Sequence, residues 1–159
     1  MAGPVVADGT ARVHLSAGTI TRPGRSRYDR PVTYTVLLYS DDPKVRDRLR
    51  SAIGTRPAAD LSVEFVDSSE YQDCLRLIDT YEIDLVVLDG EAVPTGGIGI
   101  ARQLRDELAD CPPIAVAIAR AADRWLAAYA QVDATLAHPL DPVAVRATVA
   151  DLLRQRATA

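Results

Sequence analysis

The sequence predicts an α/β fold, a doubly wound sheet of five parallel strands with helices on both faces. Three observations carry this. Short apolar runs alternate with segments of helical period from residue 33 to residue 156, and parallel strands need crossover connections, which helices supply. The strand runs are continuously apolar rather than alternating, as in a sheet covered on both sides. Polar residues then gather just past the strand ends, at Ser40, Asp41, Asp42 and Asp89, where doubly wound folds bind their ligands.

"VTYTVLLY" is β-branched and apolar and reads as a buried strand. "DDPKVRDRLRSAIG" follows as a helix, with Asp42 as N-cap, Pro43 at the first helical position, Val45, Leu49 and Ile53 at four-residue spacing, and Gly54 at its end. "LSVEFV" is the second strand, and "SSEYQDCLRLIDTY" a capped helix with Tyr71, Leu75 and Ile78 on one face. "IDLVVLD" is the third strand, before the helix "GGIGIARQLRDEL", which buries Ile100, Ala101, Leu104 and Leu108. "PIAVAIA" leads to the helix "AADRWLAAYAQ", which carries Trp125, Leu126 and Tyr129. "DATLAHP" is the last strand, and "DPVAVRATVADLLRQ" a helix opened by Asp141 and Pro142.

Residues 1–31 show no sustained period and are rich in Gly, Pro, Ser and Thr, so a flexible leader is expected there, followed by one domain over residues 32–159. The leader holds five arginines against Asp8 and Asp29, while the whole chain is at −4. The body is therefore acidic, which argues against nucleic acid as a partner, since phosphate contacts need clustered Lys and Arg. Lys44 is the only lysine. Cys74 and Cys111 are too few for a disulfide framework and, with His14 and His138, form no metal-site spacing. No run reaches transmembrane length and the N-terminus lacks a secretion signal, so a cytoplasmic protein with no membrane partner is expected.

Several doubly wound families are set aside by what is missing. No G-x-x-x-x-G-K-[ST] occurs, and "GGIGIA" is not a dinucleotide fingerprint. No Ser, His and Asp stand in nucleophile-elbow context. An enzyme is not expected.

In their order and spacing, the remaining features resemble the receiver domain of bacterial two-component response regulators, a (βα)5 flavodoxin-like fold of the CheY-like type. "VLLYSDDP" stands where that family ends its first strand in two acids, and Asp89 ends the third strand at the phosphoacceptor position. Gly97 follows eight positions on, and "LAHPLDP" supplies Pro139 and the opening of the last helix. The resemblance implies a domain that accepts a phosphoryl group on Asp89, with Mg2+ held by Asp41, Asp89 and the backbone carbonyl of Glu91. Positioning and electrostatics then supply most of the catalysis.

The departures matter equally. Ser40 takes the position of the first acid. Ile118, or Ala117 one residue earlier, takes that of a phosphate-binding hydroxyl. His138 replaces the lysine, and a histidine near neutral pH is mostly uncharged unless paired. Thr135 replaces the reporting aromatic. The resemblance therefore implies an atypical phosphorelay protein with a partly lost phosphorylation pocket, acting through protein–protein contact. In that family's helical register Trp125 would face the core, while Leu126 and Tyr129 would point outward. The implied partners are a histidine kinase, a downstream target or a second copy, met through Leu126, Tyr129 and the fourth and fifth helices. Two alternatives stay open: a phosphorylation-independent adaptor, or a small-molecule-sensing module on the same fold. Asp89 and Asp41 also have bland readings, as a strand-end carboxylate satisfied by loop amides and as a helix cap. With "LLRQRATA" ending just past the last helix, no output module is expected.

Overall fold

The computed structural model describes residues 13–14, 32–120 and 123–158. Its five parallel strands are β2 (Val32–Tyr39), β3 (Leu61–Ser68), β4 (Leu85–Asp89), β5 (Ile114–Ile118) and β6 (Ala134–Ala137). A two-residue strand β1 (Val13–His14) adds an antiparallel edge, pairing Val13 with Val66 and His14 with Phe65. The sheet order is β1-β3-β2-β4-β5-β6. The chain thus winds outward in one direction from β2 to β3 and in the other through β4, leaving a switch point between β2 and β4. Sequence reasoning anticipated the five parallel strands and not the β1 edge. The remainder of the leader lies outside the described residues.

Five helices alternate with the strands: α1 (Pro43–Ile53), α2 (Tyr71–Thr80), α3 (Gly97–Glu107), α4 (Arg124–Tyr129) and α5 (Pro142–Thr158). Each strand sends alternate side chains to opposite faces, and both faces are covered. Val36 and Leu38 of β2 and Val87 of β4 pack under α1 and α5, with Leu49, Ile53, Val149 and Leu153. Leu37 and Tyr39 of β2 and Leu88 of β4 pack under α2 and α3, with Cys74, Leu77, Ile100 and Leu104. This two-sided burial is why the strands read as unbroken apolar runs. Cys74 is buried and Cys111 half-buried, and both are free thiols. No helix among the described residues is long and apolar enough to cross a membrane.

Helix α1 begins as expected: the Asp42 carboxylate accepts from the Lys44 amide at 2.8 Å, and Pro43 opens the first turn. It ends at Gly54, whose φ of +70° a side chain would resist. Helix α2 departs from expectation. Its N-cap is Glu70, with no side-chain cap bond, because β3 runs on through Ser68 and makes that serine a strand end. Its fully buried residues are Cys74 and Leu77, while Tyr71, Leu75 and Ile78 are only partly covered.

Helix α4 corrects another expectation. Trp125 is 67% exposed, and the residues facing the core are Ala127 and Ala130. The helix spans six residues, and its small alanines lie against the sheet where a tryptophan would hold it off. Tyr129 points outward as expected, 70% exposed, and Leu126 is half-buried.

Candidate functional site

The carboxyl ends of β2 and β4 meet at the switch point, and the site is built from what each strand delivers there. Asp89 is the last residue of β4 and is 4% exposed. Its two oxygens are held by different donors. Oδ2 accepts from the Ser40 hydroxyl at 2.8 Å, and Oδ1 accepts from the Glu91 amide at 2.9 Å. A strand-end carboxylate this deep is costly to bury without such partners.

Ser40, just past β2, is fully buried and engaged on every side. Besides donating to Asp89, its Oγ accepts from the Asp42 amide at 3.0 Å. Its amide donates to the Ser68 carbonyl at 3.2 Å, and its carbonyl accepts from Arg46 Nη1 at 2.5 Å. Asp41 lies on the surface, with Oδ1 accepting from the Val93 amide at 3.1 Å, which ties the β2–α1 turn to the β4–α3 loop. Asp42 is committed to capping α1.

The loop between β4 and α3 is held tightly against the strand ends. A Cβ at Gly97 would sit 2.7 Å from both the Asp89 carbonyl oxygen and the Leu88 Cβ, so glycine there lets α3 start directly against the end of β4. The buried phenol of Tyr39 donates to the Thr95 carbonyl at 2.7 Å and anchors the far side of the same loop. Burial, with the nearby Cys74, Asp41 and Asp89, pushes the Tyr39 phenol above its usual range, so it stays a donor.

Asp41, Asp42, Asp89, Glu91 and His138 line one open cleft of about 490 Å³, with Val45, Arg48 and Val93 completing it. The structure therefore brings Asp41, Asp89, Glu91 and His138 together, as their positions along the chain imply. Ser40 lies beneath Asp89. His138 precedes Pro139 through a cis bond, and its amide donates to the Ile118 carbonyl at 2.9 Å. Ile118 itself is buried with the α3-side core and does not line the cleft. Ala117 opposite Asp89 offers only its carbonyl, which accepts from Gly90 at 2.8 Å. Thr135 is half-buried on β6, away from the cleft lining.

Sequence reasoning missed Arg48. It is one of many arginines, and only the α1 register places it at the cleft. The donor set matters for a metal. Among the described residues no group of three His, Cys, Asp or Glu side chains is placed to hold one. Four carboxylates, Asp41, Asp42, Asp89 and Glu91, line the cleft, with Asp42 held in its capping bond, and such an oxygen-rich lining suits a cation that keeps most of its waters.

No family model matches the chain. Two curated relatives, both uncharacterized response regulatory proteins of Mycobacterium tuberculosis (strains CDC 1551 / Oshkosh and H37Rv), are 44% identical over 127 residues, 79% of this chain and 96% of theirs. Among solved structures, the receiver domain of the Francisella response regulator 1452 aligns with a TM-score of 0.64 at 18% identity, over 77% of this chain and 98% of that one. A two-component response regulator from Clostridium difficile aligns at 0.63 and 17%, over 77% and 97%. A CheY-like receiver domain protein from Methanospirillum hungatei JF-1 aligns at 0.62 and 15%, over 79% and 98%. At these identities the structures speak for the fold, and the two relatives for the family.

Proposed function

The chain belongs to the response-regulator receiver family of two-component signalling, and from that premise we propose that it is an atypical receiver whose Asp89 still accepts a phosphoryl group, slowly, and whose output is contact with another protein rather than catalysis. The observation that carries this reading is the Ser40–Asp89 hydrogen bond of 2.8 Å. The proposed acceptor is buried and held in orientation, but a neutral hydroxyl stands where a second acid would raise metal affinity.

Each Asp89 oxygen keeps a lone pair beyond the one its donor holds. In transfer, one such pair forms the new O–P bond as the bond from phosphorus to the donor's nitrogen or oxygen breaks, and the leaving group takes that electron pair. Mg2+ fits the two carboxylates of Asp41 and Asp89 and, when bound, would offset charge between acceptor and phosphoryl group. Glu91 sits at the same cleft and its backbone is the proposed third contact. Ile118 and Ala117 bring no hydroxyl. One missing electrostatic donor commonly costs about a hundred- to a thousandfold in rate, so transfer to Asp89 is slow.

The proposed partner surface is the outer side of α4. Trp125 and Tyr129 are exposed there, and Arg102 lies 5.4 Å from the Tyr129 ring. Exposed aromatics beside an arginine are the residue types that anchor interfaces. A histidine kinase or a downstream target is the proposed occupant, with Leu126 contributing from a half-buried position.

A second reading has one observation in its favour. Each oxygen of Asp89 has one donor from the protein itself, so the carboxylate is held without a cation, as a phosphorylation-independent adaptor would need. A titration with Mg2+ and then beryllofluoride, followed by amide shifts, separates the two. Changes centred on Asp41, Asp89 and the residues at the end of β5, absent in Asp89→Asn, are expected. Silence at millimolar Mg2+ would leave the adaptor reading alone.

A further inference from the structure

Helix α1 brings a guanidinium to the acceptor cleft. The Asp42 cap and Pro43 fix where the helix starts, and with that register Val45 and Arg48 line the cleft beside Asp41, Asp89 and His138. The neighbouring arginines of the same helix are committed elsewhere. Arg46 holds the Ser40 carbonyl at 2.5 Å and lies 3.6 Å from Asp67; Arg50 pairs with Asp47 at 2.7 Å and with Asp67. Arg48 is exposed, and among the described residues no hydrogen bond or ion pair engages its side chain.

The cleft is electrostatically lopsided. Four carboxylates line it, and Arg48 is the only permanent cation among the lining residues. A phosphoryl group on Asp89 would add roughly −1.5 to −2 of charge. The lysine that would meet it in the family is His138 here, and the hydroxyl is Ile118. A guanidinium presents a planar fork of donors matched to phosphoryl oxygens, and an uncommitted one at the cleft wall can turn onto an anion without breaking an existing pair.

We infer that Arg48 holds the anionic oxygens of a phosphoryl group on Asp89, so that the cation of this receiver comes from its first helix rather than from the end of its last strand. The inference rests on the acceptor reading of Asp89.

The test measures two midpoints on the full chain by amide shifts: Mg2+ alone, then beryllofluoride at saturating Mg2+. Arg48→Ala should raise the beryllofluoride midpoint about tenfold, the share of one exposed charge-assisted contact. It should leave the Mg2+ midpoint unchanged or lower, since a positive charge has been removed beside the metal. Arg48→Lys, which keeps the charge and loses the fork, should fall between. Arg124→Ala, on α4 and outside the cleft, should match the wild type. An Arg48→Ala midpoint equal to the wild type's overturns the assignment and leaves the acceptor reading standing. Equal weakening of both midpoints marks a structural role and overturns it too. A wild type blind to beryllofluoride removes the acceptor reading, and this inference with it.

Discussion

A hydroxyl in place of a carboxylate changes what Asp89 experiences. Ser40 is fully buried and donates to Asp89 at 2.8 Å, so it lowers the cost of the buried charge that a second acid would raise. Ser40→Asp should therefore unfold more easily in chelator, by about 1–3 kcal/mol from two facing buried carboxylates and a lost donor. In Mg2+ the loss should be recovered, with the metal midpoint falling about tenfold as ligand charge rises. Urea unfolding with and without Mg2+ reads both, and a variant equally unstable in the two conditions would mean that position 40 has no access to the proposed metal site. Asp41 and Asp89 were legible in the sequence because strand ends in a doubly wound sheet are predictable places. The bond between Ser40 and Asp89 was not, because its partners lie 49 residues apart and a serine at a strand end has many possible acceptors. Arg48 was invisible for a similar reason: its chemistry is common, and only its placement is informative.

Elements deliver these residues, and the β4–α3 loop is the one with least room. Gly97 opens α3 with the Asp89 carbonyl oxygen and the Leu88 Cβ each 2.7 Å from where its own Cβ would be. Neither neighbour is a flexible side-chain tip, so Gly97→Ala must move the helix or the strand end. A cost of about 1–3 kcal/mol is expected, along with displaced amide signals for Asp89 and Glu91, whose hydrogen bond spans the shifted turn. An alanine variant with native stability and an unchanged spectrum would show that the loop yields freely and the close approach is not a constraint. The helices also show where pattern reading stops. The caps and proline of α1 are local signals and gave its start correctly. In α4 the family's helical register would turn Trp125 inward, yet Ala127 and Ala130 are the buried residues and Trp125 is exposed. A short helix against a sheet is positioned by how closely it can approach, and small residues decide that. In α2 the serines looked like a cap, but the strand pairing of β3 with β2 runs through Ser68 and claims the backbone first.

At the scale of the whole molecule, two-sided burial made the parallel sheet legible from continuous apolar runs. The β1 edge was not legible, because a two-residue antiparallel pairing leaves no periodicity to read. The same global cooperativity supplies a measurement of the site that needs no kinase. A cation that binds only the folded chain raises its stability by RT ln(1 + [L]/Kd). A two-carboxylate site with a Kd of about 1 mM then gains about 1.4 kcal/mol at 10 mM Mg2+, or about 3–6 °C in Tm for a domain of this size. The increment from Mg2+, rather than the absolute Tm, is the quantity to compare, because removing a buried charge can itself stabilise the apo protein. Asp41→Asn and Asp89→Asn should each abolish most of the increment, while Arg48→Ala should preserve or enlarge it. Na+ at matched ionic strength should not reproduce it, since general screening acts on the many surface Arg–Asp pairs rather than on the cleft. An increment that survives Asp89→Asn would place the cation elsewhere on the acidic surface, and the cleft would then lose its claim to be a metal pocket.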